Sequence, residues 1–177
     1  MLQDKIQKAM KFAGEQHCNQ ILPGTKANYL LHISNVLMEV LVAYQELPDF
    51  NIDLAAQIAV LHDVIEDGDV TPDEMARLFG EDVTEGVIAL TKNESLPSKP
   101  EQMQDSLDRI NRQSREVGIV KLADRITNLQ QPPSSWTIEK KLYYIKEANQ
   151  IANAMVGKHA YLENRIKEKI REYENYL

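Results

Sequence analysis

Apolar residues recur every three or four positions along nearly the whole chain, and almost nowhere every second position. That period is helical, because side chains three and four apart share one face of an α-helix, whereas alternation marks a strand. The spacing predicts helices over 4–17, 29–44, 53–67, 71–80, 81–92, 101–114, 116–129, 137–154 and 161–173. Asp53 is the expected N-cap of the third. Thr71, Pro72, Glu74 and Gly80 supply the cap, first-turn proline, box partner and terminator of the fourth. "ESLPSKP" (94–100) and "QQPPSS" (130–135) read as breaks. The expectation is one all-α domain over 1–177, a bundle of roughly nine helices.

Composition narrows the function classes. Apolar residues make up 43% of the 177, enough for a core. A formal net charge of −7 argues against nucleic acid as a partner, since phosphate-backbone contacts need a basic face. Cys18 is the only cysteine, so neither an internal disulfide nor a thiolate metal cluster can form. No apolar run is long enough to span a membrane and no signal-like h-region opens the chain, so the expected location is the cytoplasm. A homodimer is left open.

The stretch "VLHDVIEDGD" (60–69) places His62, Asp63, Glu66 and Asp67 among Val60, Leu61, Val64 and Ile65. On a continuous helix His62 lies over Glu66, and Asp63 over Asp67. A solvated helix face carrying a chance His–Asp pair gives the same pattern. His32, in "NYLLHISNVL", is flanked by Leu30, Leu31, Ile33, Val36 and Leu37, and reads either as a hydrogen-bonded core histidine or as a ligand. In "VKLADRITNL" (120–129), Asp124 and Asn128 share a face; the alternative is a structural Asp124–Arg125 pair. Taken together, His32, His62, Asp63 and Asp124 form a mixed nitrogen and oxygen set suited to Mn²⁺, Fe²⁺, Co²⁺ or Zn²⁺. Charged groups in a helical core are costly unless paired or bound to a cation.

The pattern H…HD…D resembles the HD-domain metal-dependent phosphohydrolases. "LHDVIEDGDVTPDEMARLFGEDVTEGVIALTK" (61–92) and "VKLADRITNL" (120–129) are similar to the hydrolase domain of RelA/SpoT-type alarmone enzymes, with weaker likeness in "AGEQHCNQ" (13–20) and "NYLLHISNV" (28–36). The length resembles that of the free-standing small alarmone hydrolases. The resemblance implies an HD-domain bundle. It implies metal ligation, usually of Mn²⁺, by His32, His62, Asp63 and Asp124, with Glu66 and Asp67 positioning or activating the attacking water. Asn128 matches a nucleotide contact. The implied reaction removes the 3′-pyrophosphate of (p)ppGpp, leaving GDP or GTP. Lys121, Arg125, Lys92 and Lys26 are candidates to neutralise the pyrophosphate; His17 and Tyr29 read either as pocket walls or as structural residues, and His159 as a surface residue.

There are departures from the family pattern. Ile21 and Leu22 stand where relatives carry an Arg, "NYLLHI" lacks both prolines of the family motif, and Leu129, Gln130 and Gln131 follow Asn128 in place of Arg-Thr. They fall near the base and the phosphates, so the chemistry is better matched than the guanine preference. The rival readings are an HD phosphohydrolase acting on another nucleotide, such as an adenine alarmone or a nucleoside phosphate, and a non-enzymatic module on the same fold. The second would be expected to have lost a ligand.

Overall fold

A computed structural model describes all residues, 1–177. Nine α-helices follow in order: α1 (Leu2–Gln16), α2 (Leu30–Glu46), α3 (Ile52–Leu61), α4 (Pro72–Phe79), α5 (Glu81–Leu90), α6 (Lys99–Arg112), α7 (Arg115–Asn128), α8 (Ile138–Ala154) and α9 (Ala160–Tyr173). A short 3₁₀ turn (Glu174–Tyr176) closes the chain.

Local chemistry sets most boundaries. The hydroxyls of Thr71, Ser98 and Thr137 accept the backbone N–H three residues on, capping α4, α6 and α8. Gly80, at φ +88°, ends α4 and opens α5 in a conformation that a side chain disfavours. α3 corrects the sequence expectation at both ends. Its cap is Asn51, whose side chain accepts from Leu54 N at 3.2 Å, while Asp53 sits in the first turn and pairs with Lys5. Helical hydrogen bonding stops at Leu61; His62 to Glu66 form turns and Asp67 to Asp69 a bend. One bond of helical span survives there, Asp67 N to Asp63 O at 2.9 Å. Asp67 is therefore still one turn beyond Asp63, but the acidic pair rides on a turn outside the helix.

The buried apolar residues form one connected cluster, with α2, α3 and α7 packed against one another at its centre. α1 and α5 flank α3, and α9 backs α7. His159 belongs to this interior and not to the surface: it is 1% exposed, its ring stands edge-on to Phe50, and its Nε2 lies 3.1 Å from the Leu47 carbonyl. Polar neighbours in "GKHAYLENR" hid this, because a residue just before a helix is buried by what packs over it.

Candidate metal centre and phosphate cavity

Three central helices each bring a titratable side chain to one point. His32 comes from the first turn of α2, His62 from the residue that ends α3, and Asp124 from α7, four residues before its end. Their ligand-type atoms lie within 4.8 Å of one another. The Nε2 atoms of His32 and His62 are 3.3 Å apart. Asp124 Oδ1 is 3.5 Å from His32 Nε2 and 3.9 Å from His62 Nε2. Asp63 Oδ2 lies 3.0 Å from His62 Nε2 and 3.9 Å from His32 Nε2, and also accepts the Tyr29 hydroxyl at 2.5 Å.

The ring of His62 shows what this cluster lacks. Its Nδ1 is 2.9 Å from the Ala59 carbonyl, an acceptor only, so Nδ1 carries the proton. In the neutral ring Nε2 is then a lone pair facing a second imidazole and two carboxylates. Such a group must take up a proton or a cation. Burial lowers its pKa, but the Asp63 and Asp124 charges prevail and hold it up at about 9. Burial raises the carboxyl of Asp63 and His62 pulls it back further, leaving it depressed. Asp124 is depressed against burial too, with Lys121 the largest opposing influence. Burial and the adjacent Asp63 keep the Tyr29 hydroxyl protonated. Two imidazole nitrogens and carboxylate oxygens converging in this way fit a divalent cation of the Mn²⁺ to Zn²⁺ series.

Above the cluster opens a cavity of about 470 Å³. Tyr29, Glu66, Asp67, Lys121, Arg125 and Asn128 line it. Glu66 accepts both the backbone N–H and the Nζ of Lys92, at 3.0 and 2.5 Å. Burial lowers the pKa of Lys92, but Glu66 outweighs it and raises it. Asp67 accepts from Gln20 Nε2 at 3.0 Å. Asn128 Nδ2 donates to Asp124 Oδ1 at 2.6 Å, and Lys121 Nζ reaches the other oxygen at 3.2 Å. Arg125 does not pair with its neighbour Asp124; it turns toward Glu147 and the Tyr144 ring.

Other expectations are displaced. Lys26 is exposed and lines neither this cavity nor the one beside it. His17 is buried behind Tyr29, its ring 5.1 Å away, with its Nδ1 2.6 Å from Gln20 Oε1. Tyr29 spends its hydroxyl on Asp63, so its first role is to orient that carboxylate. The sequence reading missed the far wall altogether: Lys99 and Gln102 on α6, Trp136, and Lys140, Tyr143, Tyr144 and Glu147 on α8. Trp136 beside Lys140 was the available signal, and their side chains meet, with Lys140 Nζ 4.1 Å from the ring centroid.

A second compartment of about 250 Å³ adjoins the first across Asn128, Trp136 and Tyr144. Its lining includes Leu22, Pro23, Leu31, Asn35, Thr127 and Tyr173, and no lysine or arginine.

A helical core that holds paired histidines and aspartates at the base of a cation-lined cavity defines a divalent-metal hydrolase type of site. The HD domain family matches residues 9–151, and the chain belongs to it. It is 27% identical over 169 residues to guanosine-3′,5′-bis(diphosphate) 3′-pyrophosphohydrolase MESH1 of Danio rerio, covering 93% of this chain and 92% of that one. A guanosine-3′,5′-bis(diphosphate) 3′-pyrophosphohydrolase of Aquifex aeolicus is 31% identical over 84% of this chain, which spans 20% of that longer protein. Among solved structures, a metazoan ortholog of SpoT that hydrolyzes ppGpp superposes with a TM-score of 0.84 at 27% identity, over 98% of this chain and 97% of that one. No helix of the chain is long and apolar enough to cross a membrane.

Proposed function

We propose that this chain is a metal-dependent pyrophosphohydrolase that removes the 3′-pyrophosphate of an alarmone nucleotide, converting (p)ppGpp to GDP or GTP and pyrophosphate. The observation that carries the reading is the convergence of His32, His62, Asp63 and Asp124 beneath a cavity edged by Glu66 and Asp67. The similarity to named ppGpp hydrolases along nearly the whole chain supports it.

The four converging residues would hold the cation, and Mn²⁺ is the ion proposed. A divalent ion in that position supplies Lewis acidity toward a phosphate oxygen and makes water a better nucleophile near neutral pH. Glu66 or Asp67 accepts the proton of the attacking water at a carboxylate oxygen, Glu66 after loosening its hold on Lys92. Tyr29 keeps Asp63 in place, and Asn128 does the same for Asp124.

The two compartments orient the substrate. Lys92, Lys99, Lys121, Arg125 and Lys140 line the larger, which suits the phosphates; of these, Lys99 and Lys140 have no carboxylate partner. The smaller, without cations, suits the uncharged base. The deciding experiment is product analysis with ppGpp, pppGpp and the adenine analogue in the presence of Mn²⁺. Pyrophosphate plus the nucleoside 5′-phosphate is expected. Release of single phosphates, or no turnover of any of the three, overturns the assignment in favour of another nucleotide substrate.

A further inference from the structure

Of the cations in the larger cavity, Arg125 is the most enclosed, its side chain 8% exposed against 12% for Lys121. A guanidinium presents five N–H donors in a rigid fork, suited to two oxygens of one anion. Arg125 satisfies almost none of them. Its Nη2 lies 3.5 Å from Glu147 Oε2, beyond good hydrogen-bond length, while Nε and Nη1 are buried without a partner. The Tyr144 ring covers one face, 4.6 Å from the guanidinium carbon. An enclosed charge with unpaired donors is expensive, and each such group in a native fold calls for a reason.

Glu147 is the other half of the anomaly. It projects from α8 into the same cavity with its side chain 16% exposed. A carboxylate there opposes any phosphate, because like charges in a partly desolvated space repel. Yet its grip on Arg125 is a single long contact. A phosphate group could engage the fork through two oxygens and would satisfy the guanidinium better than Glu147 does.

We propose that Glu147 is an internal counter-anion: substrate phosphate displaces it from Arg125, and its return to Arg125 weakens the hold on the pyrophosphate product. This rests on the phosphohydrolase reading above, and it adds a competitor built into the site. The competition lowers affinity for phosphate groups and in exchange favours product release.

The test is calorimetric titration of inorganic pyrophosphate into metal-loaded protein, for wild type, Glu147→Gln, Arg125→Gln and the double variant. Glu147→Gln should bind pyrophosphate more tightly, on the order of tenfold for removal of one nearby like charge. In the Arg125→Gln background the same change should gain little, since there is no guanidinium to compete for. An affinity unchanged or weakened in Glu147→Gln overturns the proposal, even where melting shows lost stability, because the pair is then structural. An equal gain with and without Arg125 also overturns it, reducing Glu147 to a general charge. Should Arg125→Gln not fold, Glu147→Asp decides, since it keeps the charge but withdraws it by one methylene. A gain near that of Glu147→Gln supports competition by contact, and wild-type affinity refutes it. No turnover is involved, so absence of ppGpp hydrolysis in the wild type would sink the functional reading and leave this result to stand or fall by itself.

Discussion

The Nε2 atoms of His32 and His62 face each other at 3.3 Å, and the Nδ1 proton of His62 is committed to the Ala59 carbonyl. Two imidazoles meeting in that way, with Asp63 and Asp124 alongside, leave room for a shared cation and little else. Replacing His62 or Asp63 with Ala should therefore abolish both metal retention and turnover. Metal content by atomic emission, read beside activity on ppGpp, checks this. A variant that kept stoichiometric metal and normal turnover would remove that residue from the ligand set.

The charge state of His62 makes a pH prediction for the metal-free protein. Its folded pKa is raised to about 9 from an ordinary 6.5. The stability it contributes is fully present below pH 6.5 and is lost as pH rises through 9. Chelator-treated protein should therefore melt at lower temperature at pH 9 and above than at 6.5. A cation must displace the same proton, so metal affinity should climb with pH across that window. Flat metal affinity between pH 6.5 and 9 would show that binding does not compete with this proton.

Glu66→Gln should keep the metal and lower kcat by about a hundredfold, the scale of losing a general base. The amide can still accept the backbone N–H of Lys92, so the local turn should survive. Single-turnover rates corrected for metal occupancy separate the alternatives. Reduced occupancy with unchanged rate per bound metal would make Glu66 a ligand.

Leu22 lines the compartment assigned to the base, with Pro23 and Leu31 beside it. Aliphatic side chains pack on either purine and read neither edge, so discrimination between guanine and adenine should be weak. The measurement is kcat/KM for ppGpp and ppApp side by side. A guanine preference above roughly a thousandfold, about 4 kcal/mol, would mean that other groups read the base.

Much of the fold was legible because helix boundaries are local events. The cap read at Thr71 acts within three residues of itself, as do the caps at Ser98 and Thr137 that only the structure identified, and the apolar period follows from the helix geometry of adjacent turns. The end of α3 was not legible in that way. Residues 62–67 keep the apolar spacing of a helix, yet Asp63 is drawn to Tyr29, 34 positions away, and Glu66 to Lys92, 26 away. Those long-range bonds compete with helix continuation, and a window of a few residues contains neither partner.

By itself, then, the sequence determined an all-helical chain and the residue types of a mixed nitrogen and oxygen cluster, because periodicity, caps and side-chain chemistry are properties of a residue and its near neighbours. Only the tertiary structure decided that His32, His62 and Asp124 converge, since each stands on a different helix and the packing of α2, α3 and α7 sets their separation. It decided too that α8 walls the cavity, that Lys26 lies away from it, and that Arg125 turns from Asp124 to Glu147. The physical reason is common to all of these: a side chain's partner is fixed by the crossing of elements far apart in the chain, and no short stretch of sequence carries that geometry.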